Sequence, residues 1–138
     1  MSLRLKRIEK EKKKSIYDIN WENLTFNYKS HIIKIVLEDN YPFQTPKLIL
    51  ENTDHIDWFV AKYIKYKLFI NEFNIVNPCI CCNSFTCYWV PTHTIDDLIR
   101  EFIEYYDKYE ILDKMYILYN KELFDNFIYE NIFLYVII

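Results

Sequence analysis

Not one of the 138 residues is glycine. That absence limits both the fold and the chemistry. Phosphate-cradling loops, dinucleotide-binding turns, kinase lids and serine-hydrolase elbows all use glycine where backbone approaches a ligand or bends sharply. Those classes are excluded in their usual form. The turns have to be made by other residues, and Asn and Asp are expected to stand where glycine normally would.

The rest of the composition is that of a globular chain. Hydrophobic residues make up 51% and charged residues 27%, and the length suits one domain over 1–138 with a proper core. Ile, Lys, Asn and Tyr are used heavily while Ala61 is the single alanine, a bias that fits A/T-rich coding. The net charge of −3 hides an asymmetry. Residues 1–14 hold seven cations against Glu9 and Glu11, so this end carries +5 and the remainder −8. Such an end suits nucleic acid, an acidic protein surface or simply a solvated helix face. The longest apolar run, Ile132 to Ile138, is too short to cross a bilayer. With no apolar signal core at the start, the expectation is an intracellular protein without a membrane partner.

Periodicity outlines the elements. Leu5 and Ile8 among strong helix formers predict a helix over 3–14. Runs at 24–28, 31–38 and 47–50 alternate or are β-branched, and their close spacing predicts an antiparallel meander. Residues 56–66 lean to helix, and 77–91 reads as irregular. Ile95, Leu98, Ile99, Phe102, Ile103 and Tyr106 then recur at helical spacing. Thr94 stands as the N-cap with Asp97 three residues on. A second helical stretch is expected over about 110–130. Asp96, Asp97 and Glu101 read as charges near the start of a helix, favoured by its dipole. The expected class is α+β: a small antiparallel sheet packed on the helix at 94–106, with an N-terminal helix and a helical C-terminal region.

All four cysteines, Cys79, Cys81, Cys82 and Cys87, fall within nine residues. Disulfide frameworks spread their cysteines to staple distant segments, so the choices here are a reactive thiol, a metal site or small buried hydrophobes. His31 and His55 have no second histidine at ligand spacing and read as structural. The tyrosines at 105, 106 and 109 lack the surrounding basic residues of a base-stacking surface, and no nucleic-acid partner is expected.

Several segments together resemble one family. Tyr41-Pro42-Phe43, followed by Pro46-Lys47, is similar to the signature that joins the third and fourth strands of ubiquitin-conjugating enzymes. Trp89-Val90-Pro91 with the helix after it resembles that family's tryptophan-serine-proline element, and Asn77-Pro78-Cys79 its histidine-proline-asparagine segment. The first helix, with Arg4, Lys6, Arg7 and Lys10, resembles the basic helix that meets the activating enzyme. The likeness covers roughly residues 3–106 and leaves 107–138 unmatched. It implies a thioester carrier for ubiquitin or a similar modifier. Its partners would be an activating enzyme and a ligase, with no cofactor. The A/T-rich bias would suit a virus or parasite acting on host ubiquitin.

The family's spacing gives two nucleophiles. Counted forward from Cys79, which stands at the asparagine position, it lands on Cys87; counted back from Trp89, it lands on Cys81. The approach Asn83-Ser84-Phe85-Thr86 favours Cys87, with Cys81 the alternative. Two further readings stand beside the enzyme. A variant without asparagine at that position would bind ubiquitin or a partner conjugating enzyme without chemistry. Alternatively Cys79, Cys82, Cys87 and His93 have soft ligands at knuckle-like spacing and would brace the segment with zinc.

Overall fold

In the computed structural model, residues 2–75, 80 and 84–120 are described. Helix α1 (Leu3–Lys14) starts at Ser2, whose hydroxyl accepts from the Leu5 N–H at 3.1 Å. It ends on Lys12, Lys13 and Lys14, cations that suit the negative end of the helix dipole. Its bounds are those the sequence predicts.

Five strands follow: β1 (Ile19–Asn20), β2 (Thr25–Tyr28), β3 (His31–Val36), β4 (Lys47–Leu50) and β5 (Thr53–Asp54). They pair in chain order, each antiparallel to the next, so the predicted meander is present with a two-residue strand added at either edge. Period-2 patterning sets the register. Ile33 and Ile35 point into the core while Ile32 and Lys34 face out. Phe26 pairs with Ile33, and Ile35 with Leu48.

The turns show how a chain without glycine bends. Five of the described residues take positive φ: Leu24, Lys29, Glu51, Asn52 and Asn74. Glu51 and Asn52 are the whole β4–β5 connection, and two left-handed residues give the twist that a tight hairpin needs. Asn therefore fills two of these positions. Leu24, Lys29 and Glu51 fill the others against the preference of their side chains, while Asp fills none.

Helix α2 (His55–Glu72) and helix α3 (Ile95–Asn120) lie over one face of the sheet and against each other. The Phe102 ring on α3 meets Phe26 edge-on at 5.9 Å, and Tyr109 stacks on Phe59 of α2 at 5.6 Å. Across the same seam Asp113 accepts from the Tyr66 hydroxyl and pairs with Lys62 at 2.9 Å. Two expectations change. The helix over 56–66 extends to Glu72, because Tyr66, Phe69 and Ile70 carry the buried face onward. The helices at 94–106 and 110–130 are one α-helix as far as Asn120, since Tyr109, Leu112 and Met115 continue the stripe begun by Ile95. Residues 121–130 of that expectation lie outside the described residues. None of the described helices is long and apolar enough to cross a membrane.

Candidate functional site

Trp89 ties two distant segments together. Its indole N–H donates to the Pro42 carbonyl at 2.8 Å, and its ring tilts against Tyr41 at 6.3 Å. Tyr41 and Pro42, joined by a cis peptide, are buried, whereas Phe43 beside them is exposed. Tyr88 and Val90 flank Trp89 and are also exposed.

Cys87 lies two residues before Trp89, exposed on the turn over 84–88. Hydrogen bonds shape that turn from below. Ser84 is fully buried; its carbonyl accepts the Cys87 N–H at 3.0 Å and its hydroxyl oxygen the Thr86 N–H at 3.0 Å. The Ser84 hydroxyl donates in turn to Glu101 at 2.9 Å, and the Phe85 N–H reaches the other Glu101 oxygen at 2.8 Å. His55, buried at the start of α2, completes this group with Nε2 at 3.3 Å from Glu101.

The first helix meets the same region through Arg7 and Glu11. The Arg7 guanidinium donates to the carbonyls of Pro91 and His93, each at 2.6 Å, and pairs with Glu11 at 3.2 Å. The Glu11 carboxylate also accepts from the Tyr41 hydroxyl and from the Ile95 N–H at 2.7 Å. Burial, and then the bond to Glu11, push the Tyr41 hydroxyl far above its ordinary pKa. Between α1 and the segment leading into α3 lies a cavity of about 400 Å³ lined by Arg7, Lys10, Lys14, Thr92 and Thr94 among others.

The residues singled out in the sequence fall into distinct settings. Of the basic set, Lys6 and Lys10 are exposed, Arg4 is half-buried, and Arg7 is held by the internal contacts above. Among the nucleophile and zinc candidates, Cys79, Cys81 and Cys82 lie outside the described residues, as do Asn77 and Pro78. His93 accepts the Val90 N–H at Nδ1, 3.3 Å away, and its ring lies 4.7 Å from Phe85 and 5.5 Å from Trp89. Among the described residues no three His, Cys, Asp or Glu side chains gather as a metal-binding group.

Asp96 and Asp97 lie in the first turn of α3, as expected of first-turn charges, but the same reading of Glu101 needs correction. Thr94 and Asp97 form a reciprocal cap, with bonds of 2.8 and 3.2 Å, while Asp96 holds Ser15 and the Ile16 N–H. Glu101 is instead buried at 5% exposure beneath the cysteine turn. Its only sequence signal was its place three residues after Leu98, at the edge of the apolar stripe. Glu11 was missed in the same way, three residues after Ile8 within a run of charges.

No protein-family model matches the chain, and no curated protein or solved structure is significantly similar to it.

Proposed function

We propose that this chain is a ubiquitin-conjugating-enzyme-like protein that carries ubiquitin or a similar modifier as a thioester on Cys87. The observation that carries the reading is the junction at Trp89. The Trp89–Pro42 bond joins the two motifs that resemble the family, with an exposed cysteine two residues away. The path of the chain adds support, because Tyr41–Pro46 connects β3 to β4, where the resemblance puts that signature.

The chemistry is a thiol exchange. The Cys87 sulfur, its proton lost to a solvent base, attacks the thioester carbonyl carbon on the activating enzyme. A new carbon–sulfur bond forms as the old one breaks, and the activating enzyme's cysteine leaves as a thiolate. No oxidant or metal enters. Of the four α1 cations that the resemblance marks, Lys6 and Lys10 are the exposed ones, open to an acidic surface of that enzyme, and reversing both is expected to slow loading.

The test is a non-reducing gel after incubation with activating enzyme, ATP and ubiquitin, with Cys87→Ser and Cys81→Ser run alongside. A thiol-sensitive adduct lost only in Cys87→Ser is the expected result. Loss only in Cys81→Ser would keep the activity and move the nucleophile. No adduct in any lane would overturn the enzyme reading in favour of a docking module, and about one zinc per chain by metal analysis would then identify the zinc-braced form.

A further inference from the structure

We infer that Glu101 is a positioning residue that sets the shape of the Cys87 turn and so aims the thiol, an inference that rests on the thioester reading for its catalytic consequence. Glu101 stands near the start of α3, at the edge of its apolar stripe, beside the fully buried Leu98 and Phe102. From there its two oxygens face three groups: the Phe85 N–H, the Ser84 hydroxyl and His55 Nε2.

The order of the bonds matters. Because the Ser84 hydroxyl spends its proton on Glu101, its oxygen is oriented to accept the Thr86 N–H. The Ser84 carbonyl, fixed by the same anchorage, receives the Cys87 N–H. Three consecutive N–H groups, from Phe85 to Cys87, are thus ordered directly or through Ser84 by one carboxylate. An ionised carboxylate suits this place because it only accepts. An apolar side chain of similar size would fill the space and leave the turn without its anchor.

Attack on a thioester needs the sulfur in line with the carbonyl carbon, and a small misplacement is costly in rate. The turn is therefore expected to affect the rate of the chemical step. Docking is left to a surface elsewhere, namely the exposed face of α1. Glutamine at position 101 keeps an acceptor for the Phe85 N–H, and its amide can donate to His55 and Ser84. Leucine keeps only the volume.

The experiment compares the full chain with Glu101→Leu and Glu101→Gln in two readouts. The first is single-turnover transfer from the ubiquitin-loaded activating enzyme. Glu101→Leu is expected to lower the maximal rate about tenfold or more with an unchanged half-saturating concentration, and Glu101→Gln to recover most of it. The second is amide hydrogen exchange at Phe85, Thr86 and Cys87, expected to quicken in Glu101→Leu and to stay slow in Glu101→Gln. Wild-type rate and exchange in Glu101→Leu would overturn the inference, as would an equal loss in both variants or an effect on half-saturation alone. If Glu101→Leu fails to fold, Ser84→Ala takes its place, since it cuts the relay while keeping the carboxylate. If the wild-type chain takes up no modifier, the thioester reading fails by itself, and the exchange readout still decides whether Glu101 orders the turn.

Discussion

Glu11 on α1 and Glu101 on α3 are the two buried carboxylates among the described residues, at 7% and 5% exposure. Each accepts from a hydroxyl and from a backbone N–H of a distant segment. They differ in what neutralises them. Glu11 faces a permanently charged guanidinium, and that guanidinium is itself held by two carbonyls of the 91–93 loop. Among the described residues Glu101 faces a histidine and otherwise only dipoles. The first arrangement locks large elements together: α1, the Tyr41 segment and the start of α3. The second holds the 84–88 turn to α3, with His55 at the start of α2 beside it. Similar chemistry thus serves architecture at one site and fine geometry at the other.

The sharpest test of that contrast removes each carboxylate in turn. Glu11→Ala leaves the Arg7 charge without its counter-ion and orphans the Tyr41 hydroxyl and the Ile95 N–H. The expected loss is about 4 kcal/mol in urea unfolding. A loss under about 1 kcal/mol would mean that α1 is only loosely docked. Glu101→Ala strands the Ser84 hydroxyl and the Phe85 N–H but no permanent charge, so about 2 kcal/mol is expected from the same measurement. Equal losses at the two positions would erase the distinction between a charge-balanced lock and a dipolar anchor.

Neither glutamate could be recognised from the sequence, and the reason is physical. Whether a charge in an amphipathic helix is solvated or buried depends on what packs over it, which local spacing does not reveal. For Glu11 the cover is Tyr41 and the start of α3, some 30 and 84 residues away. Features with local causes were legible. The meander followed from the alternating or β-branched runs at 24–28, 31–38 and 47–50, and the start of α3 from Thr94 and Asp97. The short edge strands β1 and β5 were not, because two residues are too few for a period. The second half of α2 was ambiguous because its helix is held by ring contacts to α3, such as Tyr66 against Tyr116 at 5.0 Å. The candidate site divided similarly. Cys87, Trp89 and the Tyr41-Pro42 segment were visible as residues, whereas the Glu101 anchor beneath the turn was not.

A smaller effect refines the Glu11 side of the comparison. The start of α3 is held twice, by Glu11 on the Ile95 N–H and by Thr94 on the Asp97 N–H. Thr94→Ala is expected to cost about 1 kcal/mol by itself. If the two acceptors share the work, the cost changes by about 0.5 kcal/mol or more when Glu11→Gln is already present. Strict additivity in urea unfolding of the four chains would mean that Glu11 anchors α1 without helping to cap α3.

The smallest effect concerns alkali and sets Tyr41 against a more exposed tyrosine–carboxylate pair. The Tyr28 hydroxyl donates to Asp107 at 2.6 Å, and Lys29 lies 3.3 Å from the same carboxylate. Burial, then the bond to Asp107, push the Tyr28 hydroxyl from its usual 10 up to about 12. A raised value means the folded chain holds this proton more tightly than the unfolded one. The stability it contributes is therefore intact below about pH 10 and is lost as pH rises through about 12. Tyr41, deeper and against Glu11, is pushed further in the same direction. Tyr28→Phe is accordingly expected to flatten the decline in urea midpoint between about pH 10 and about pH 12, whereas Tyr41→Phe shifts the midpoint at neutral pH as well, by removing a donor from Glu11. If Tyr28→Phe leaves the alkaline slope unchanged, the Tyr28–Asp107 bond exchanges with water too readily to register in stability. The contrast between buried and half-exposed carboxylate partners would then be greater than their similar geometry suggests.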